Sequence, residues 1–153
     1  MHVELTLSEL PDPTAPRQRT RPGGRDRALD VWAFAVTAAA EACLLVNTAG
    51  VVIAASPGSA DLLNIDPAGS VGRRLVEGVL RLLDFNAVSG ELPGWEVDKI
   101  PPLLALSTGG LARGLLRIDD GSGTASTVDA ISTPLREGGE LVGSLTFFAP
   151  VGR

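Results

Sequence analysis

The sequence predicts an α+β fold, in which a five-stranded antiparallel sheet carries helices inserted between its second and third strands. Three observations predict this fold. Two short apolar strands joined by a glycine turn come early, several short helical segments with proline start signals follow, and three longer strands joined by glycine-rich turns end the chain. A helix before the first strand flanks the sheet.

The composition fits one domain built from short elements. The chain has 153 residues, of which 44% are hydrophobic, and its 11 prolines and 18 glycines favour tight turns over long helices. A net charge of −5 argues against a nucleic-acid-binding domain. One cysteine excludes an internal disulfide and suits a reducing, cytoplasmic location. Arginine far outnumbers lysine, and Ala and Gly are abundant, which indicates a high-GC bacterial genome.

Residues 1–25 are predicted to form a disordered tail, because they are rich in proline and arginine and show no apolar periodicity. Arg17, Arg19 and Arg21 belong to a basic patch that is the only hint of nucleic acid or of an acidic partner. Aspartates flank the patch and no aromatic side chain is interleaved, which favours a solvated tail. No signal peptide or membrane-spanning segment is predicted.

Residues 26–41 are predicted to form the flanking helix, since they contain good helix formers and no Gly or Pro. Leu29, Trp32 and Val36 follow helical spacing, and Val31 and Phe34 fall on a neighbouring stripe. The apolar arc is therefore wider than a one-sided surface helix requires, and this helix needs cover on two sides.

The first hairpin is predicted at 43–47 and 51–55, with Thr48-Ala49-Gly50 as a three-residue loop and Gly50 in the left-handed conformation. Ser56-Pro57 reads as an N-cap followed by proline at the first helical position, so that a helix follows over 57–63. Asp66-Pro67 repeats the same start signal.

The middle of the chain is predicted to be mainly helical. Apolar residues at Leu75, Val79, Leu82 and Leu83 have helical spacing and predict a helix over 75–85. Another helix is predicted from Leu103 to the Gly109-Gly110 stop. The last three strands are predicted at 112–118, 124–135 and 140–149, joined by two glycine-rich hairpin turns.

Both faces of the predicted sheet are apolar, so both must be covered. The mid-chain helices cover one face, and the N-terminal helix, a second subunit or both cover the other. The simplest arrangement is a homodimer in which the flanking helix packs on its own sheet and on its twin. The predicted dimer or partner surface consists of Leu29, Trp32, Val36 and Phe148.

The order of these predicted strands, turns and helices over residues 42–149 resembles a PAS domain. LLVNTAGVVIAAS corresponds to the family's first hairpin, SVGRRLVEGV to its "GRxL" helix entry, and IDDGSGTASTVDAISTPLREGGELVGSLTFF to its last three strands. Ser56 stands where the family commonly has Asn, and Asn64 stands where it commonly has Gly. The resemblance implies a sensory fold. Residues 150–153 read as a short tail without an output domain, so a separate effector protein is expected.

The resemblance also implies which cofactors to test. Histidine-ligated haem needs a histidine in the helical insert, but the only one is His2. Covalent flavin photochemistry needs a cysteine after the "GR" motif, and Arg73 to Val76 contain none. No tyrosine is present for a photoactive-yellow type of chromophore site. No cofactor is evident, and a non-covalent small ligand stays possible. A pocket closed by the helical insert would be lined by Phe85, Trp95, Leu82 and Leu104, although core packing explains these residues equally well.

Catalysis is not expected, because without a usable histidine neither a Ser–His nor a Cys–His pair can form. No metal site is predicted, since Asp119 and Asp120 fit turn chemistry better than cation binding. Cys43 begins an apolar strand with no His or Lys near it in the sequence, and is expected to be a packed hydrophobe.

Two functions remain open from the sequence. One is a stand-alone sensory or regulatory PAS module that binds a small molecule or a partner protein and signals through dimer or partner contacts. The other is a ligandless adaptor that docks a larger assembly through its sheet and its basic tail. A well-formed cavity under the insert helices would favour the first.

Overall fold

The computed structural model describes residues 23–85, 90–119, 121–122 and 124–152, so most of the predicted tail, 1–22, lies outside it. The helices are α1 (Gly23–Ala38), α2 (Pro57–Leu63), α3 (Pro67–Ser70), α4 (Gly94–Val97) and α5 (Pro101–Thr108), with a π-helical turn at Leu75–Val79. The strands are β1 (Cys43–Asn47), β2 (Val52–Ala55), β3 (Leu82–Leu83), β4 (Ala112–Asp119), β5 (Ala125–Glu137) and β6 (Glu140–Pro150).

The strands form one antiparallel sheet in the order β2-β1-β6-β5-β4-β3. The α+β class and the helical insert are confirmed, but the described residues contain six strands where the sequence predicts five. The additional strand is β3, which pairs Leu82 with Ile118 and Leu83 with Arg117 at the edge of the sheet.

The predicted helix over 75–85 is wrong. Within the π-helical turn the backbone is already non-helical at Glu77 and Gly78, and Leu80 is extended, at φ −95° and ψ 129°. Leu75, Val79 and Leu82 are all buried. Their apolar spacing therefore correctly indicates burial, but the backbone that buries them is not a continuous helix. Pairing with β4 satisfies the backbone of Leu82 and Leu83, and this tertiary contact overrides the local helical pattern.

Alternating residues of β1 enter two separate apolar cores. Leu44 and Val46 belong to the larger core together with residues of the inserted helices, and we name this side of the sheet the inner face. Cys43 and Leu45 belong to a smaller core on the other side, the outer face. Because successive side chains of a strand point to opposite faces, β1 is packed on both sides.

Helix α1 covers part of the outer face. Leu29, Ala33 and Val36 pack into the smaller core, and Val36 is only 2% exposed. The Cδ2 atom of Leu29 lies so close to Gly143 on β6 that a Cβ atom built there would be 3.2 Å from it. The helix begins and ends three residues earlier than the predicted 26–41.

Ser56 ties the chain entering β1 to the start of α2. It occupies the predicted N-cap position, but its side chain makes no capping bond. Its hydroxyl instead accepts a hydrogen bond from the Cys43 N–H (2.9 Å) and donates one to the Glu41 carbonyl (2.6 Å). The residue is fully buried.

Replacing Ser56 by Ala is expected to lower the free energy of unfolding by about 1–3 kcal/mol, because the buried Cys43 N–H loses its side-chain partner. Urea denaturation followed by circular dichroism measures the loss. Ser107→Ala is the control, since the exposed Ser107 hydroxyl bonds only the Leu104 carbonyl of its own helix. Equal midpoints for the two variants would contradict the structural role of Ser56.

Candidate functional site

A cavity of about 720 Å³ opens between the β1–β2 turn, the segment around the π-helical turn, and helices α4 and α5. Its lining includes Thr48, Gly50, Arg74, Val76, Leu103 and Leu106. Its volume falls within the range of about 300–1,000 Å³ that is usual for small-molecule sites.

One wall of the cavity is the loop Thr48-Ala49-Gly50. Gly50 has φ +76°, which confirms the predicted left-handed loop position. The Asn47 side-chain oxygen accepts hydrogen bonds from the N–H groups of Ala49 (2.9 Å) and Val51 (3.1 Å). The Leu75 N–H donates to the Gly50 carbonyl at 2.9 Å, which joins the loop to the neighbouring wall. This side of the cavity is therefore held by the Asn47 side chain and by a backbone bond from Leu75.

Another wall is α5, which is fixed to the sheet. The helix begins at Pro101 and ends at Gly109, whose φ of +68° gives a left-handed C-cap. The Ser144 hydroxyl on β6 donates to the Pro102 carbonyl at 2.9 Å, and both residues are buried. Beside this bond, Ser132 and Thr146 share a buried hydroxyl pair at 2.6 Å. The bond from Ser144 to Pro102 anchors the first turn of α5 to the inner face.

The lining of the cavity is apolar where it is half-buried and polar where it is exposed. Val76, Leu103 and Leu106 are half-buried. Arg74 and Glu77 form an ion pair at 3.1 Å with side chains 59% and 62% exposed, so solvent screens it and it adds little to stability. The arrangement suits a small ligand with an apolar body and a polar end.

The predicted pocket residues do not come together at this cavity. Leu82 is buried and lines two smaller recesses, of about 400 and 260 Å³, and Phe85 is 52% exposed at the smaller of them. Leu104 is half-buried on α5 and is absent from the lining of these three spaces. Trp95 lies on α4, and its side chain falls outside the described part of the chain.

Sequence reasoning missed the lining residues Thr48, Arg74 and Leu106. The loop before Gly50 was recognisable as a turn, and Arg73-Arg74 as a helix entry, but neither signal indicates a cavity wall. The three residues come from three separate segments, and only the folded sheet brings these segments together.

The predicted partner surface is only partly on the surface. Trp32 is 41% exposed and Leu29 is half-buried, but Val36 is buried against the outer face. Phe148 is 5% exposed and packs in the larger core, so its assignment to a partner surface is corrected. The neighbouring Phe147 points to the outer face and is 45% exposed, because alternate strand residues face opposite sides.

The part of the outer face beyond α1 presents exposed apolar side chains. Phe147 lies opposite Ile131, and Leu115 lies on the next strand. Arg113 and Asp129 form a two-bond ion pair beside them, with a shortest distance of 2.6 Å. Hydrogen bonding to Arg113 lowers the pKa of Asp129 below that of an ordinary aspartate.

Comparison with solved structures finds PAS domains. The PAS domain of a protein from Colwellia psychrerythraea has 19% identity and a TM-score of 0.57, with 81% of this chain and 97% of that chain covered. The PAS domain of the fruit-fly ELK potassium channel has 15% identity and a TM-score of 0.60 over 80% and 96%. VqmA bound to DPO has 12% identity and a TM-score of 0.57 over 82% and 57%.

Neither the family models nor the curated proteins contain a match to this sequence. The structural similarity establishes the fold, and the chain has the PAS fold that its sequence resemblance implies. Among the described residues, no helix is long and apolar enough to span a membrane, and no three His, Cys, Asp or Glu side chains gather into a group that could hold a metal ion.

Proposed function

We propose that this chain is a sensory or regulatory module that binds a small molecule non-covalently in the 720 Å³ cavity and signals through contacts with a second copy or a separate effector protein. The cavity carries the proposal. It has the volume of a small-molecule site, one wall held by hydrogen bonds and another anchored by Ser144.

Non-covalent binding is favoured over attachment to the protein. Cys43 is 1% exposed in the smaller core, on the opposite side of the sheet from the inserted helices. Burial also raises the pKa of its thiol, which keeps it protonated and unreactive at neutral pH. The solved neighbour VqmA, which has the same fold, is described as bound to DPO. We accordingly propose that the module acts by binding and not by catalysis, in the cytoplasm.

Native mass spectrometry of the purified protein, compared with its denatured mass, is the first test. Extra non-covalent mass identifies a ligand that copurifies. A thermal-shift screen with a panel of small metabolites then tests the site through Leu106→Trp, which adds bulk to the α5 wall of the cavity and is expected to reduce every shift seen with the unchanged protein. Leu111→Trp, at a position 71% exposed, is the matched control and should keep the shifts.

Shifts that stay as large with Leu106→Trp as with the unchanged protein would place the ligand elsewhere. No copurified mass and no shift across the panel would favour the second candidate function, a ligandless adaptor that docks a larger assembly. The exposed apolar side chains of Phe147, Ile131 and Leu115 on the outer face favour this alternative. An adaptor should retain its partner in pull-downs with the Leu106→Trp variant and lose it with Phe147→Glu.

A further inference from the structure

The free edge of β4 is paired over only part of its length. Among the described residues, β3 pairs with the last part of β4 alone, at Arg117 and Ile118. The Asp119 N–H donates to the carbonyl of the residue before β3 at 3.0 Å. Because neighbouring residues of a strand point their backbone groups to opposite sides, the odd-numbered residues of β4 point theirs to this edge. Arg113 and Leu115 therefore present N–H and C=O groups that no described strand pairs.

The recess of about 260 Å³ lies along this open edge, and we name it the edge recess. Its lining includes Ile100 and Leu116, which belong to the larger core, so it opens on the inner face. Gly114 contributes no side chain to it, although a Cβ atom built there would only touch Pro101, at 3.4 Å. Three cations and one carboxylate are also in its lining: Lys99, Arg113, Arg117 and Glu96. The edge thus combines free backbone groups, an apolar recess and an excess of positive charge.

The first residues of the chain have the pattern of a strand. Residues 3–7 read Val-Glu-Leu-Thr-Leu, so that three apolar side chains alternate with Glu4 and Thr6. This alternation sets them apart from the proline- and arginine-rich remainder of the predicted tail, and it is an exception to the lack of apolar periodicity there. The segment lies outside the residues that the structure describes.

We propose that residues 3–7 bind the open edge of β4 in the same chain as an additional antiparallel strand. Glu4 lies opposite Leu115. Thr6 lies opposite Arg113, so that both unpaired positions of the edge are used. The segment follows the line of β3 and runs in the same direction, because β3 is also antiparallel to β4. This contact is separate from the 720 Å³ cavity and from any contact between copies.

The side chains of the segment fit the two faces of the edge. Opposite residues of antiparallel strands point their side chains to the same face, which places Leu5 opposite Gly114 on the inner face, over the edge recess. Leu7 falls opposite the small Ala112 in the same way. Each leucine therefore meets a residue with little or no side chain, and Glu4 points to the outer face, towards solvent.

Charge favours this segment over the rest of the tail. On the outer face Glu4 lies diagonally across from Arg113 and Arg117. Both arginines already have partners, at the Asp129 carboxylate and the Asp84 carbonyl, so an exposed third group adds little to stability. The effect is instead on selection, because the arginine-rich part of the tail would set like charges together at the same edge.

The chain between the segment and α1 is long enough for binding within one molecule. Fifteen residues lie between Leu7 and Gly23, the first residue of α1, and they span up to about 50 Å when extended. Leu29 on α1 lies close to Gly143 on β6. The position beyond β4 is three strand spacings from β6, which is about 14 Å. Residues 3–7 can therefore reach the edge from their own helix.

Cysteine cross-linking of the full chain tests the pairing. Under a mild oxidant, Glu4→Cys combined with Leu115→Cys should form an intrachain disulfide about ten times faster, or more, than Glu9→Cys combined with Leu115→Cys. Opposite residues of a hydrogen-bonded pair have Cα atoms about 5.5 Å apart, within disulfide reach, whereas residue 9 would lie about 17 Å further along the strand. The native Cys43 is buried, and peptide mass mapping identifies the bonded pair.

Amide hydrogen exchange followed by NMR provides a second measurement without oxidation. Pairing with Glu4 should protect the Leu115 amide in the unchanged protein. Leu5→Asp should then raise its exchange rate about tenfold or more, because a carboxylate does not enter an apolar recess. Leu10→Asp is the matched control outside the alternating residues and should leave the rate unchanged.

Equal cross-linking rates for the Glu4 and Glu9 combinations would overturn the proposal. So would a Leu115 amide that exchanges equally fast in the unchanged protein and in both aspartate variants. A disulfide that joins two copies would overturn binding within one chain. The ligand screen tests the 720 Å³ cavity, which shares none of these substituted positions, so the two proposals fail separately.

Discussion

Leu44→Ala is expected to lower the free energy of unfolding by about 2–5 kcal/mol, because it leaves a cavity in the larger core. Leu44 is fully buried at the centre of β1, between β2 and β6, and its side chain packs with residues of the inserted helices. A loss of this size is a large share of the roughly 5–15 kcal/mol that stabilises a typical domain. Urea denaturation followed by circular dichroism measures it.

Leu111→Ala is the matched control. Leu111 is 71% exposed immediately before β4, so the same truncation there should change the free energy of unfolding by no more than about 0.5 kcal/mol. If both leucine variants unfold at the same urea concentration, the packing of β1 against the inserted helices is not as the structure shows.

Gly58→Ala is expected to lower the free energy of unfolding by about 1–3 kcal/mol, because the added methyl group overpacks its surroundings. A Cβ atom at Gly58, in the first turn of α2, would clash with the Ala40 carbonyl oxygen and lie 2.9 Å from the Glu41 carbonyl carbon. Both obstacles belong to the backbone that links α1 to β1, and backbone cannot rotate away as a side chain can. Relief requires α2 to move off this segment, which should appear as a lower melting temperature.

Gly94→Ala tests whether the effect is steric. Gly94 lies in the first turn of another short helix, α4, and a Cβ atom there would meet nothing within 4 Å. The melting temperature of the Gly94→Ala variant should be unchanged or slightly raised, because alanine favours helix more than glycine does. A similar fall in both variants would mean that helix propensity, and not the close approach to Ala40, governs the result.

The hairpins could be predicted from local chemistry. The loop ending at Gly50 and the glycine-rich turns between the last strands require backbone conformations that glycine adopts readily, and the last three strands end within two residues of their predicted bounds. The structure of segment 75–85 could not be predicted in this way. The spacing of Leu75, Val79 and Leu82 fits a helix as well as it fits a π-helical turn followed by a strand. The strand forms because Leu82 pairs with Ile118, which lies more than thirty residues away along the chain.

The site depends on information that a local pattern does not hold. Phe147 and Phe148 are identical and adjacent, so composition cannot tell which one faces the core. Which side chains of β6 point to the inner face follows from its pairing with β1 and β5. That pairing includes an irregularity in register between Leu135 and Arg136. The cavity walls likewise come from segments that meet only in the folded chain, and buried residues such as Leu82 attract attention in the sequence simply because they are apolar.

Strand β6 supports both a wall of the cavity and the helix that packs on the outer face. Ser144 holds α5, a wall of the cavity, and the next residue, Leu145, points to the other side into the core under α1. A ligand that displaced α5 would pull on the same strand on which α1 packs, and so could change contacts that α1 makes with a second copy. Thermodynamic linkage makes such a connection reciprocal: whatever factor the ligand applies to self-association, self-association applies to ligand affinity. Occupancy of the cavity would then depend on protein concentration, and the module would respond to its own abundance as well as to its ligand.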